Sequence, residues 1–359
     1  QSPVHQPSSS AAEGDRDCGL VNSSGGAQQC AGCEVRLDGF DGSRQCPSEP
    51  ASSRGNKLPD HADRCGRVRR VEEVEMSIEQ FFGAYNRLRV QTEAFAALGA
   101  RLSTTEDELD PAVLHALDDV VAASGFPDAR SLTSEQRSML TDMVQTSFRQ
   151  ALASLEAPTA DAGWEHTDVA VLDGQGRAST NLVPHMARIV GDAPVWEILD
   201  VGTGVGLLAV AMARRWPDAN VVGVDIWEPA LERARDHVAE AGLSDRIEIR
   251  NQDITTLDER DRYDCAFLPA PFLPADVLAA AIPRVIEAVK PGGLVSIGTQ
   301  RTPEDPLAEA TQRLRNIRDT GAVHTVDSVL AMCDDAGLTA SVLNPDSTIA
   351  IAFVGGRVR

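Results

Sequence analysis

The stretch that most constrains this chain is residues 198–206, Ile-Leu-Asp-Val-Gly-Thr-Gly-Val-Gly, followed by a small, apolar, helix-forming run over 207–214. An apolar run, a glycine turn and a helix former in succession predict a buried strand, a tight turn and a helix of a doubly wound α/β sheet. Gly202, Gly204 and Gly206 let the backbone turn sharply and leave no side chains between the turn and a ligand. A second apolar strand over 220–224 leads into Asp225, about 20 residues past the glycines, where a ribose-binding carboxylate belongs. The expected ligand is a nucleoside.

The spacing argues against a dinucleotide, whose fingerprint is Gly-x-Gly-x-x-Gly; here the glycines alternate and an acid, Asp200, precedes them. A negative group there would repel a pyrophosphate and suit an amino-acid ammonium. In these residues the chain resembles the class I S-adenosylmethionine-dependent methyltransferases, whose first motif reads Asp/Glu-x-Gly-x-Gly-x-Gly after a hydrophobic strand. The resemblance continues in order through 221–225, 247–253, 263–269 and Lys290-Pro291-Gly292-Gly293, and covers residues 193–359.

That resemblance implies a Rossmann-like seven-stranded sheet and S-adenosyl-L-methionine as cofactor. It assigns Asp200, Gly202, Thr203, Gly204 and Gly206 to the cofactor loop, Asp225 to the ribose hydroxyls and Ile226 to the adenine face. Asp253 would accept from the adenine amino group and the backbone of Ile254 would read a ring nitrogen; a plain helix N-cap also explains Asp253. Leu268, in the fourth strand, is also expected to bind the cofactor, and Trp227 reads as either an adenine cover or a shield for the next helix.

Residues 268–274, Leu-Pro-Ala-Pro-Phe-Leu-Pro, correspond to the segment that faces the transferable methyl group. Amino-directed nucleic-acid methyltransferases carry Asn/Asp/Ser-Pro-Pro-Tyr/Phe there. Leu268 removes the polar hold and Ala270 displaces the second proline, leaving Pro269 and Phe272 as a stiff apolar wall facing the substrate. The expected reaction is O-methylation of a small aromatic or polyketide-like acceptor. A protein methyltransferase and a non-catalytic cofactor-binding module on the same fold remain alternatives. His185, His237 and His324 are the candidate bases, with His237 expected on an exposed helix surface.

Charge bears on partners: 54 acidic against 33 basic residues give a formal net charge of −21, which opposes nucleic-acid phosphates. No apolar run approaches the roughly 20 residues of a membrane span, and no secretory leader is evident, so a cytoplasmic protein is expected. No His, Asp and Glu triplet at metal spacing occurs beyond the first 65 residues, so no metal is expected in the site.

Four regions are expected. Residues 1–75 are polar and hold five of the seven cysteines, including Cys30-x-x-Cys33 with Cys18, Cys46, Cys65 and His61 nearby. A zinc site is one reading; a disordered tail, or a leader upstream of a start at Met76, is the preferred one. Residues 76–165 carry helical periods and form a cap or homodimerisation domain, with Asp110-Pro111 and the Thr133, Gln136 pair opening helices. Residues 166–192 are read as a hairpin turning at Asp173-Gly174-Gln175-Gly176, then a helix over 181–190. Residues 193–359 bind the cofactor; their charged 301–318 helix is a candidate lid, and strands over 339–343 and 348–354 close the sheet as an antiparallel pair.

Overall fold

The computed structural model describes residues 77–164 and 166–359. The cysteine cluster, the alternative start at Met76 and the order of the tail lie outside the described residues.

Three helices open the described chain: α1 (Ile78–Ser103), α2 (Pro111–Ala123) and α3 (Ser134–Glu156). Their starts follow from local chemistry. Ser77 with Gln80 and Thr133 with Gln136 form reciprocal capping boxes, and Asp110 caps α2 ahead of a proline at its first position. Arg101, 1% exposed, joins α1 to α2 through a 2.6 Å bond to Asp118.

The expected hairpin is instead a helix, α4 (Val169–Ser179). Gly174 and Gly176, read as turn residues, lie inside it because neighbouring elements come too close for a side chain. A Cβ on Gly174 would stand 2.0 Å from Thr146 Oγ1 of α3, and one on Gly176 would stand 2.4 Å from Val205 Cγ2. Packing outweighs the cost of about 1 kcal/mol that a glycine brings to a helix. A 3₁₀ turn (Thr180–Leu182) then leads into α5 (Val183–Val190), close to the expected helix.

The strands and α-helices that follow are β1 (Glu197–Val201), α6 (Leu207–Arg215), β2 (Asn220–Asp225), α7 (Glu228–Glu240), β3 (Ile247–Asn251), β4 (Tyr263–Pro269), α8 (Ala275–Ala288), β5 (Val289–Gln300), α9 (Pro306–Thr320), α10 (Val326–Asp335), β6 (Ser341–Val342) and β7 (Ile351–Arg357). They form one sheet in the order β3-β2-β1-β4-β5-β7-β6. All neighbours from β3 to β5 run parallel, and β7 is antiparallel to both β5 and β6, as the closing pair required. The Lys290-Pro291-Gly292-Gly293 segment belongs to β5, where an irregular register and a Gly292 φ of +81° absorb the turn expected there.

Strands β1, β2 and β4 are apolar on both faces because helices cover both. One core packs α8 and α10 residues such as Leu278, Ile282 and Val329 against Leu199, Leu268 and Val295. The other packs Met186 of α5 and Met212 of α6 against Ile198, Val221 and Phe353. β1 lies between β2 and β4, so the chain reverses direction across the sheet there. The crevice at the carboxyl ends of those strands is where a doubly wound sheet takes its ligand.

Candidate active site

The glycine turn follows β1 into that crevice. Gly202, Gly204 and Gly206 all have positive φ, at 63°, 53° and 74°, the region closed to most side chains. Gly202 also faces the end of β4, since a Cβ there would meet Pro269 Cγ at 3.1 Å. The loop is tied down from below: Thr203 N–H donates to Val224 O at 3.1 Å and Gly206 N–H to Thr203 O at 2.9 Å.

Asp200 and Thr203 serve this turn from inside. Asp200 is 1% exposed, and its Oδ2 accepts from Thr203 Oγ1 at 2.7 Å. The Thr203 side chain occupies the space over Gly223, the β2 partner of Asp200 in the sheet register. Burial pushes the Asp200 carboxyl up to about 7, the Thr203 bond opposes that rise, and the Asp225 charge adds to it. The fixed negative charge expected from the sequence is therefore a carboxyl that holds its proton up to near neutral pH. Its Oδ1 is buried with no hydrogen-bond partner. An orphaned acceptor beneath a glycine cradle fits an ammonium donor, which would satisfy it.

Asp225 ends β2 and organises the other wall. Its Oδ2 accepts from Gly204 N–H at 2.9 Å, and its Oδ1 from Ile226 and Trp227 N–H at 2.7 and 2.9 Å. Of the roughly four acceptor positions on a carboxylate, one is left beside the crevice. Ile226 is 69% exposed, a large apolar side chain offered to a flat ligand. Asp253 caps the 3₁₀ turn Ile254–Thr256, accepting from both Thr255 N–H and Oγ1 on its Oδ1 at 2.8 Å. Its capping role is thus realised, and its exposed position leaves it accessible to a second donor. The Ile254 side chain is buried in the core, so only its backbone can serve a ligand.

Leu268 is wholly buried in the core, so its side chain does not line the crevice. Pro269, the last residue of β4, and Phe272, three residues on, are half-buried. Phe272 meets Trp164 edge to face, at 4.9 Å between ring centroids, and Trp164 in turn meets His166 at 4.6 Å. Sequence reasoning missed both partners. They belong to the segment joining α3 to α4, and the available signal was a tryptophan in a polar connector.

Two of the three candidate bases are engaged by backbone carbonyls. His237 is half-buried rather than exposed, its Nδ1 2.9 Å from Val205 O, where it anchors α7 to the glycine turn. His324 is buried with Nε2 2.8 Å from Leu273 O. His185 lies on α5 with Nδ1 3.4 Å from Arg188. Behind the turn, Asp173 of α4, 8% exposed, takes two bonds from Arg233 of α7 at 2.8 and 2.6 Å. No group of metal-ligating side chains occurs among the described residues. No described helix is long and apolar enough to cross a membrane.

Comparison with known proteins agrees with this geometry. Residues 198–293 match a family described as a methyltransferase domain. A tRNA1(Val) (adenine(37)-N6)-methyltransferase of Bacteroides thetaiotaomicron is 41% identical over 77 residues, which are 21% of this chain and 32% of that protein. The chain thus spans about a third of the length of that curated relative. An O-methyltransferase family protein from Burkholderia thailandensis aligns over 79% of this chain and 98% of its own, with 18% identity and a TM-score of 0.56. Human N-acetylserotonin methyltransferase, solved with S-adenosylmethionine, aligns over 79% and 99%, with 17% identity and a TM-score of 0.52. Both structural matches include the helical segment as well as the sheet in their coverage, and at these identities they speak to fold.

Proposed function

We propose that this chain, whose residues 198–293 form a class I S-adenosylmethionine-dependent methyltransferase domain, methylates a small aromatic or polyketide-like hydroxyl compound. The observation that carries the substrate class is the wall at the end of β4: Pro269 and Phe272, backed by Trp164, present apolar surface and no charged group. Burying a flat acceptor against it contributes about 25 cal/mol per Å² of apolar area removed from water. A charged acceptor would lose its hydration with no partner from this wall.

For the cofactor, the Asp200 carboxyl would receive the amino-acid ammonium, Asp225 a ribose hydroxyl and Ile226 one face of the adenine. The bound cofactor supplies an electrophilic methyl on a sulfonium. The chain's own contribution is alignment and exclusion of water. Isothermal titration with S-adenosylhomocysteine tests the premise: wild type binds, and Asp225→Ala binds far more weakly. Absence of binding by wild type would sink the reading.

The tRNA-modifying relative supports a second reading, methylation of a nucleic-acid amino group. Against it stand the net charge of −21 and the loss of the polar residue at 268. Incubation with radiolabelled cofactor and separate pools of bulk tRNA, cell protein and small metabolites decides, and label only in the metabolite pool is expected. The helical domain is further proposed to pair two copies of the chain, since Phe81, Phe82, Tyr85 and Leu88 of α1 are each about half exposed.

A further inference from the structure

The connector between α3 and α4 crosses the carboxyl ends of the strands, and three contacts fix its path. Gly163 N–H donates to Arg318 O of α9 at 2.9 Å, and Arg318 in turn donates to Ser154 O of α3 at 3.0 Å. Trp164 rests its ring on Phe272, beyond β4. The carbonyl of His166 accepts from Trp227 Nε1 at 3.0 Å, two residues past Asp225 on β2. β1 and its glycine turn lie between those two anchors. The connector therefore spans the crevice from the acceptor wall to the ribose carboxylate.

We propose that His166 is the catalytic base of this site, its imidazole taking the hydroxyl proton of an acceptor held against Trp164 and Phe272. Among the described residues no hydrogen bond engages its ring nitrogens, whereas His237 and His324 are committed to backbone carbonyls. Its carbonyl bond to Trp227 and its ring contact with Trp164 set its position without using them. Burial holds the imidazole below the usual histidine range, so it is neutral near pH 7, while Asp168 opposes that shift. Asp168 is itself paired with Arg149 of α3 at 3.0 Å.

The step balances. The acceptor O–H bond breaks and its proton passes to a ring nitrogen; the oxygen pair forms the bond to the methyl carbon. The carbon–sulfur bond breaks with its pair on sulfur, turning a sulfonium into a neutral thioether, and the imidazolium returns its proton to water.

This assignment rests on the methyltransferase reading, and the test separates the two. Wild type and His166→Phe, which keeps an aromatic ring against Trp164, are first titrated with S-adenosylhomocysteine; equal affinities are expected. The His166 imidazole is then followed by NMR in the wild-type complex as 2-naphthol is added, and naphthol methylation is measured against pH. The imidazole resonance should shift with 2-naphthol. His166→Phe should lose about 10²-fold or more in rate, together with the acidic limb of the profile. If wild type fails to bind S-adenosylhomocysteine, the methyltransferase reading falls and the assignment with it. If it binds but the imidazole is unmoved by 2-naphthol, or the variant keeps the wild-type rate and pH profile, only the assignment of His166 is overturned.

Discussion

Arg233 on α7 and Asp173 on α4 clamp the glycine turn from behind, the guanidinium meeting both carboxylate oxygens at 2.8 and 2.6 Å. The same helix carries His237, whose Nδ1 lies 2.9 Å from Val205 O within the turn. The helix that follows Asp225 is thereby locked to α4, with the glycine turn held against them.

Removing Arg233 leaves Asp173 with only the longer contacts to Arg177 at 4.0 Å and His237 at 3.8 Å. Arg233→Ala should destabilise the fold by about 1–3 kcal/mol, less than the 3–5 kcal/mol of a fully buried pair because the Arg233 side chain is 29% exposed. Urea denaturation reads the loss, and a weaker affinity for S-adenosylhomocysteine should accompany it. An unchanged midpoint would show that the clamp is decorative.

Gly174→Ala should be destabilising although alanine is the better helix former. The added Cβ would stand 2.0 Å from Thr146 Oγ1, so α3 and α4 must separate, at about 1–3 kcal/mol. The control is Gly125→Ala, at a positive φ of 77° with nothing within 4 Å of its Cβ, where strain is confined to the backbone. Thermal melts of Gly174→Ala with and without Thr146→Ala decide: relief by the second change identifies the clash as the cause.

Asp200 makes stability fall with rising pH. Its folded value of about 7 exceeds the ordinary 3.8, so the folded state favours the protonated carboxyl. That contribution is complete below about pH 4, declines as pH rises through about 7, and is flat beyond. Asp200→Asn should therefore show a shallower decline between those limits, measured as urea midpoints across the range. Parallel curves for wild type and variant would rule the effect out.

The exposed α1 face gives a prediction about assembly. Sedimentation of the full chain should show a dimer, and Phe82→Asp should shift it to monomer without loss of helical content by circular dichroism. Wild-type monomer would mean that something other than a second copy covers this face.

The sheet was legible because its signals are local and strong. Apolar runs, the alternating glycines, Asp225 and the late antiparallel pair each depend on a few adjacent residues, and the capping boxes of α1 and α3 need only a spacing of three. Legibility failed where long-range packing reversed a local preference. Asp173-Gly174-Gln175-Gly176 has the composition of a turn, yet it is helical because Thr146 and Val205 press against its glycines from elsewhere in the chain. Likewise, the sequence by itself determined that Asp200 places a carboxyl just before the glycine turn. Only the tertiary structure, by burying it and bonding it to Thr203, decided that this carboxyl holds its proton up to near neutrality. The same holds for Trp164 and His166, which the sequence marks by no more than a tryptophan in a polar connector; they meet the site residues because folding carries that connector between Trp227 and Phe272, residues 45 apart in the chain. Periodicity and turn chemistry act over a handful of residues, whereas proximity across the ends of β2, β1 and β4 exists only once the sheet has formed.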